Sequence, residues 1–225
     1  NAPAYKVASF EIVDLPLIKY IAATKKPLLM STGMASEEEI SEAISVAKKE
    51  GCDEILLFHC ISSYPAPIQE ANLLQMLKLK EKYHVEIGLS DHTMGNTAAI
   101  AAVSLGASAI EKHFTLSRAE KGPDSTFSME PNELTDLVTQ TNNAKVSLGT
   151  ASFVRPDVES GNLRFRRSIY FVKNLKTGHT IKEGDIKRIR PGYGLKPKFY
   201  DEILGSILKQ DVHRGQPVAW DTLVR

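Results

Sequence analysis

The chain has 225 residues, 42% of them hydrophobic, and 28 basic against 27 acidic side chains give it a formal net charge of +1. That is enough chain to bury a proper core in one domain plus a small second one, and the even balance gives no general attraction to nucleic acid or membrane. No apolar run reaches the length of a bilayer span and no secretory leader opens the chain, while Cys52 and Cys60 read as small buried residues of a reducing cytoplasm, not as a disulfide framework.

The first residues, Asn1-Ala2-Pro3-Ala4, carry no initiator methionine, so the chain is expected to begin inside a longer protein. In chain order, the pattern predicts strands over 5–9, 27–31, 54–59, 85–89 and 107–111. Helical patterns over 15–23, 36–50, 73–82 and 97–105 separate them. Ser36-Glu37-Glu38-Glu39 reads as a capping box, Gly51 closes that helix, and Gly106 stops the last one. Such alternation predicts a parallel sheet, either doubly wound or a (β/α)8 barrel.

The strand exits favour the barrel. Ser9 and Glu11, Ser31-Thr32-Gly33, Ser62-Ser63-Tyr64, Ser90-Asp91-His92 and His113 put polar groups at the end of every strand. A barrel builds its catalytic face that way, whereas an open sheet concentrates ligand groups at one switch point. Five βα units cannot close an eight-stranded barrel, so about three N-terminal units are expected to lie outside this chain. The fold class is therefore α/β: the C-terminal five βα units of a (β/α)8 TIM barrel over residues 1–150.

Residues 151–166, with Pro156, Gly161 and Asn162, read as a linker, and beyond Arg167 the helical patterns stop. A strand over 168–172 opens a compact β module spanning 167–225. Within it Gly178-His179-Thr180-Ile181, then Asp185-Ile186, is echoed by Gly215-Gln216-Pro217-Val218, then Asp221 and Leu223. Arg188-Ile189-Arg190-Pro191-Gly192-Tyr193-Gly194 reads as a loop, since proline and two glycines forbid a regular element.

His92 and His113 carry the chemistry. A right-handed βαβ unit puts their two strand exits side by side, and two imidazoles there make half a metal site. The competing reading is a pair of hydrogen-bonded structural histidines. Strand alternation places Ser9 and Glu11 on one face and Lys6 on the other, unless a bulge intervenes.

Lys6-Val7-Ala8-Ser9-Phe10-Glu11, Ser31-Thr32-Gly33-Met34, His59 to Pro67, Gly88 to Thr93, Glu111-Lys112-His113-Phe114, Gly122-Pro123-Asp124 and Arg190-Pro191-Gly192 follow one another in an order that resembles the bacterial nonulosonic (sialic-type) acid synthases, most of all their pseudaminic branch. The C-terminal module resembles the SAF, or antifreeze-like, domain that ends these enzymes. The resemblance implies a transferase that condenses phosphoenolpyruvate with an N-acylated amino-sugar aldehyde to a nine-carbon 2-keto sugar acid and phosphate. It implies a divalent metal, Mn²⁺ or Mg²⁺, on His92 and His113, and a catalytic carboxylate at Glu11. It also implies phosphoenolpyruvate contacts from Lys6, Ser9, Ser31, Ser62 and Ser90, the Ser62 position being an asparagine in sialic acid synthases. Tyr64 and Asp124 would line the sugar site, and Arg190 would reach the sugar acyl group across a domain-crossed homodimer. A cytoplasmic enzyme without nucleic-acid or membrane partners is expected, and the 225-residue chain alone is expected to be weakly active or inactive. Competing readings are an N-acetylneuraminate or legionaminate synthase, a Schiff-base aldolase using Lys112 or Lys6, and a non-catalytic piece acting in assembly.

Overall fold

The computed structural model describes residues 2–224. It contains two compact units that divide after Ala151, each with its own hydrophobic core.

The first unit alternates strands and helices: β1 (Tyr5–Val7), α1 (Leu15–Ala22), β2 (Leu28–Ser31), α2 (Glu37–Lys49), β3 (Ile55–Cys60), α3 (Gln75–Tyr83), β4 (Glu86–Ser90), α4 (Thr97–Ser104), β5 (Ala109–Glu111) and α5 (Pro131–Ser147). All four strand pairings are parallel and the spatial order is β1-β2-β3-β4-β5, with no reversal. An unreversed order has no switch point, which separates barrel winding from doubly wound winding. The sheet also curls. Lys6 on β1 and Glu111 on β5 bring their charged atoms to 3.4 Å across three intervening strands. The five strands are thus part of a TIM barrel, an open arc with helices on its convex side.

Alternation explains which residues go where. Val7, Leu28, Met30, Ile55, Leu57, Ile87 and Leu89 pack outward against Ile18, Ala43, Ala47, Met76, Leu79 and Ala102 of the helices. Lys6, Ser31, Phe58, Gly88, Ser90 and Glu111 have the opposite parity and line the concave face. Gly88 is needed there because a Cβ would lie 2.6 Å from the Phe58 ring and 2.7 Å from the Ala109 carbonyl oxygen. The capping box forms as expected: Ser36 N donates to Glu39 Oε2 at 2.7 Å, and Glu39 N donates to Ser36 Oγ at 3.2 Å.

Two local differences from the sequence pattern bear on the site. The first strand stops at Val7, and Ser9–Glu11 forms a 3-10 turn. Period-two alternation therefore ends before Ser9, and the conflict between Lys6 and Ser9 disappears. The second is α5, which no helical pattern singled out; it buries only Leu137, so its apolar stripe is almost absent.

The second unit contains β6 (Ser168–Phe171), β7 (Ile186–Ile189), α6 (Tyr200–Ile203), β8 (Ile207–Leu208) and β9 (Leu223–Val224), paired antiparallel as β6-β7 and β8-β9. Its core gathers Ile169, Phe171, Ile181, Ile186, Ile203, Val218 and Leu223. The internal echo is structural: Gly178 (φ 82°) and Gly215 (φ 87°) each precede a 3-10 turn, Glu183–Asp185 and Trp220–Thr222, which feeds β7 or β9. The short helix α6 departs from the expectation that helices stop after Arg167. Residues 152–167 are exposed, with 3-10 turns over Asp157–Phe165. Gly192 N donates to the Arg164 carbonyl at 2.8 Å, so the end of that stretch is tied to the second unit. Arg188, expected in a loop, lies in β7, and the irregular segment starts at Arg190. No helix among the described residues is long and apolar enough to cross a membrane.

Candidate active site

The concave face ends, at the C-terminal edge of the strands, in a polar cluster. Lys6 Nζ donates to Ser31 Oγ at 2.7 Å and faces Glu111 Oε1 at 3.4 Å; Ser90 Oγ donates to that same oxygen at 2.7 Å. Ser31 and Ser90 are buried. Beside them Ser9 Oγ accepts from Gly33 N at 3.1 Å, and a Cβ on Gly33 would run into the hydroxyls of Ser62 and Ser9. Four of the five serine and lysine positions read from sequence, with Ser62 adjacent, therefore converge on one surface. Glu11 lies exposed in the 3-10 turn after β1.

The histidine pair sits next to this cluster. Ring centroids of His92 and His113 are 5.2 Å apart, with planes tilted by 59°. Each is fixed through its backbone: Ala66 N donates to the His92 carbonyl at 2.9 Å, and Met129 N donates to the His113 carbonyl at 2.8 Å. His92 Nδ1 lies 2.9 Å from the Ile61 carbonyl oxygen. A carbonyl only accepts, so Nδ1 carries the proton and Nε2 is the nitrogen left to bind a metal. His113 Nδ1 faces Asp124 Oδ2 at 3.5 Å. Tyr64 covers both rings, with centroids 4.2 Å from His92 and 5.6 Å from His113, and Phe127 packs 5.1 Å from His113. Burial pushes the Tyr64 phenol up, keeping it neutral.

Among the described residues no group of three or more His, Cys, Asp and Glu side chains is arranged to hold a metal ion. The pair alone suits an open site, in which two neutral imidazoles leave the remaining positions to water and substrate oxygens. On donor chemistry and tautomer the residues fit a divalent cation.

Three residues here were not singled out from sequence. Glu111, noted only as a flank of His113, is the carboxylate on which Lys6 and Ser90 meet. Phe127 walls the His113 side. Cys60, read as a small buried residue, is buried but faces the site, its Sγ 3.7 Å from His92 Nδ1 and 3.8 Å from Ser62 Oγ. Burial works against its thiolate, but the His92, Ser9 and Ser62 contacts outweigh that and hold the thiol below its ordinary range. For His92 burial likewise opposes the charged form, and Cys60, the Ile61 carbonyl and Asp91 outweigh it, raising the imidazole. Cys52 belongs to the core, and both cysteines are free.

Lys112 points away from the histidines. Its side chain is 5% exposed and its Nζ sits 3.0 Å from Asp91 Oδ2, so it offers no free amine to the concave face. That orientation speaks against it as a Schiff-base nucleophile. Arg190 lies exposed in the second unit. A cavity of about 710 Å³ opens at the other end of the strands among Pro27, Glu54, His84 and Glu86, away from all these groups.

Comparison with known proteins gives a consistent set of matches. The model of the NeuB family matches residues 1–153, and that of the SAF domain matches residues 166–224. The chain is 42% identical to the pseudaminic acid synthase of Helicobacter pylori over 100% of its own length and 66% of that protein's. It is 41% identical to the N,N'-diacetyllegionaminic acid synthase of Campylobacter jejuni over 90% of its length and 62% of that protein's. The crystal structure of the spore coat polysaccharide biosynthesis protein spsE from Bacillus subtilis superposes with a TM-score of 0.62 at 31% identity, covering 99% of this chain and 68% of that one. The chain spans just under two thirds of the length of the curated relatives it matches.

Proposed function

The chain belongs to the NeuB family and ends in a SAF domain, and from that premise we propose that the protein condenses phosphoenolpyruvate with an N-acylated amino-sugar aldehyde, releasing phosphate and forming a nine-carbon 2-keto sugar acid, pseudaminic acid. The observation that carries the reading is the His92–His113 pair beside a lysine–serine–carboxylate cluster on one strand edge. A phosphate ester needs a cation and hydroxyl donors; a reacting carbonyl needs an electrophilic partner nearby.

In this reading Lys6 supplies charge to phosphoenolpyruvate, and Ser9, Ser31, Ser62 and Ser90 hold its oxygens. Gly33 keeps that surface open by leaving room for the hydroxyls. His92 and His113 are the residues that would hold Mn²⁺ or Mg²⁺, and the chemistry such an ion would supply when bound is Lewis-acid polarisation of the sugar aldehyde. Glu11 takes the proton of the water that adds to the former enol carbon before phosphate leaves, a contribution of about 10²–10⁴-fold. Tyr64 and Asp124 orient the sugar from the histidine side. Arg190 is read as a group donated to the sugar acyl of a second copy, which makes a cytoplasmic homodimer the proposed working form.

Exposed Phe10 suits a 6-deoxy, diacetamido sugar better than a hydroxyl-rich one. Since the legionaminic relative is nearly as similar as the pseudaminic one, the legionaminate series is the second reading. Phosphate release by the intact protein, measured with diacetamido sugars of both series and with N-acetylmannosamine, tests all three. Turnover on the pseudaminic precursor is expected to exceed the others and to vanish with EDTA. Preference for N-acetylmannosamine overturns the choice of sugar, and a borohydride-trapped pyruvate adduct without phosphate release overturns the reaction.

A further inference from the structure

The pairing of β4 with β5 runs out just before the histidines. Its register ends at Ser90↔Glu111, and the final ladder bond is Asp91 N to the Glu111 carbonyl at 2.9 Å. Beyond it nothing in the ladder fixes how far His92 and His113 stand apart. On the outward side of the same two exits, Lys112 Nζ donates to Asp91 Oδ2 at 3.0 Å, to the Thr93 carbonyl at 2.6 Å and to the Gly95 carbonyl at 3.2 Å. These acceptors bracket His92 along the chain, and the donor is the residue before His113. Side chains of Lys112 and Asp91 are 5% and 1% exposed. Asp91 is itself held by Thr93 N at 2.8 Å, while the buried Thr93 hydroxyl has no hydrogen-bond partner among the described residues. The segment after β4 is thus tied to β5 through backbone carbonyls and one carboxylate, all meeting a single ammonium.

Stability does not account for such a pair well, since two buried charges gain little over apolar residues of similar size. Geometry does: one ammonium with three donors fixes three points on the β4 exit relative to β5. We propose that Lys112, with Asp91, is the positioning residue that sets the spacing of His92 and His113. The proposal rests on the reading of those histidines as the metal-holding pair, and it assigns Lys112 no contact with substrate.

The test uses the full chain and Mn²⁺ alone, with affinity measured by calorimetry and the bound nitrogens counted by pulsed EPR. Lys112→Met would strand the Asp91 charge, so the informative variant is the double Asp91→Asn/Lys112→Met. Lys112→Arg, which keeps the charge but cannot place one nitrogen on all three acceptors, is the companion. Both are expected to melt cooperatively, to bind Mn²⁺ about 10-fold or more weakly for the double variant and several-fold more weakly for the arginine variant, and to lose one of two histidine nitrogen signals. Wild-type affinity with both signals in a folded variant overturns the proposal. His92→Ala separates the two layers: if it keeps wild-type affinity the ligand reading falls and takes the proposal with it. If it loses Mn²⁺ while the double variant does not, only the positioning role falls.

Discussion

Gly33 and Gly88 both line the concave face, but an added methyl meets different neighbours. At Gly33 the obstacles are hydroxyls and a thiol, the ends of the Ser62, Ser9 and Cys60 side chains, which can rotate. At Gly88 they are a buried aromatic ring and a backbone carbonyl, which cannot. Gly33→Ala is therefore expected to fold with little loss of stability yet to bind phosphoenolpyruvate several-fold more weakly. Gly88→Ala should cost about 1–3 kcal/mol through overpacking. Urea denaturation and ligand titration of both variants check this; equal loss of stability in the two would refute it. At this scale the sequence was most informative where a residue's place follows from its own strand. His92, His113, Ser31 and Ser90 could be named because each stands at a strand exit. Glu111 and Phe127 could not, because Glu111 meets Lys6 from β1 and Phe127 meets His113 from the loop before α5, and no local pattern reports such proximity.

Elements became legible in proportion to their apolar patterning. The outward faces of β2 to β4 are nearly continuous Leu, Ile and Met, and α2 carries both a stripe and a capping box. Helix α5 carries threonines and asparagines around a single buried leucine, so its periodicity has nothing to show. The turn Glu183–Asp185 was visible only as half of a repeat, yet it is the anchor of its unit. Asp185 is 3% exposed and accepts from Lys173 Nζ at 2.9 Å and Lys182 N at 2.9 Å, with His179 Nε2 at 2.8 Å. Burial opposes its ionisation, but those partners outweigh the penalty and lower the carboxyl from 3.8 to about 2. A depressed carboxyl stabilises the fold fully above its unfolded value and loses that contribution as pH falls through the folded one. The second unit should therefore lose about 2 kcal/mol between roughly pH 4 and pH 2 from this group alone. Asp185→Asn should be less stable at pH 7 and show a flatter acid limb, as read from melting temperature against pH. An unchanged acid limb would remove Asp185 as its cause.

For the molecule as a whole, two cores and an exposed stretch between them set how it comes apart. Phe153 is fully exposed and lies outside every strand and helix, whereas the stretch near Arg164 is tied to the second unit. Brief chymotrypsin treatment is expected to cut first after Phe153 and to leave a resistant C-terminal piece with its own cooperative melt. A first cut within either core would contradict it. The arrangement of β1 to β5 as part of a barrel was legible from alternation and from polar exits on every strand, but how closely the arc brings β1 to β5 was not, because no single strand carries it. That closeness is what lets Lys6 reach Glu111, and the contact has a consequence for selectivity. The lysine already has a resident anion, so a newcomer must outbid it: a doubly charged guest can, and a singly charged one is turned away at the door. Glu111→Gln should abolish that discrimination, with chloride or nitrate competing against inorganic phosphate in the variant and not in the parent, as titrations followed by calorimetry would register.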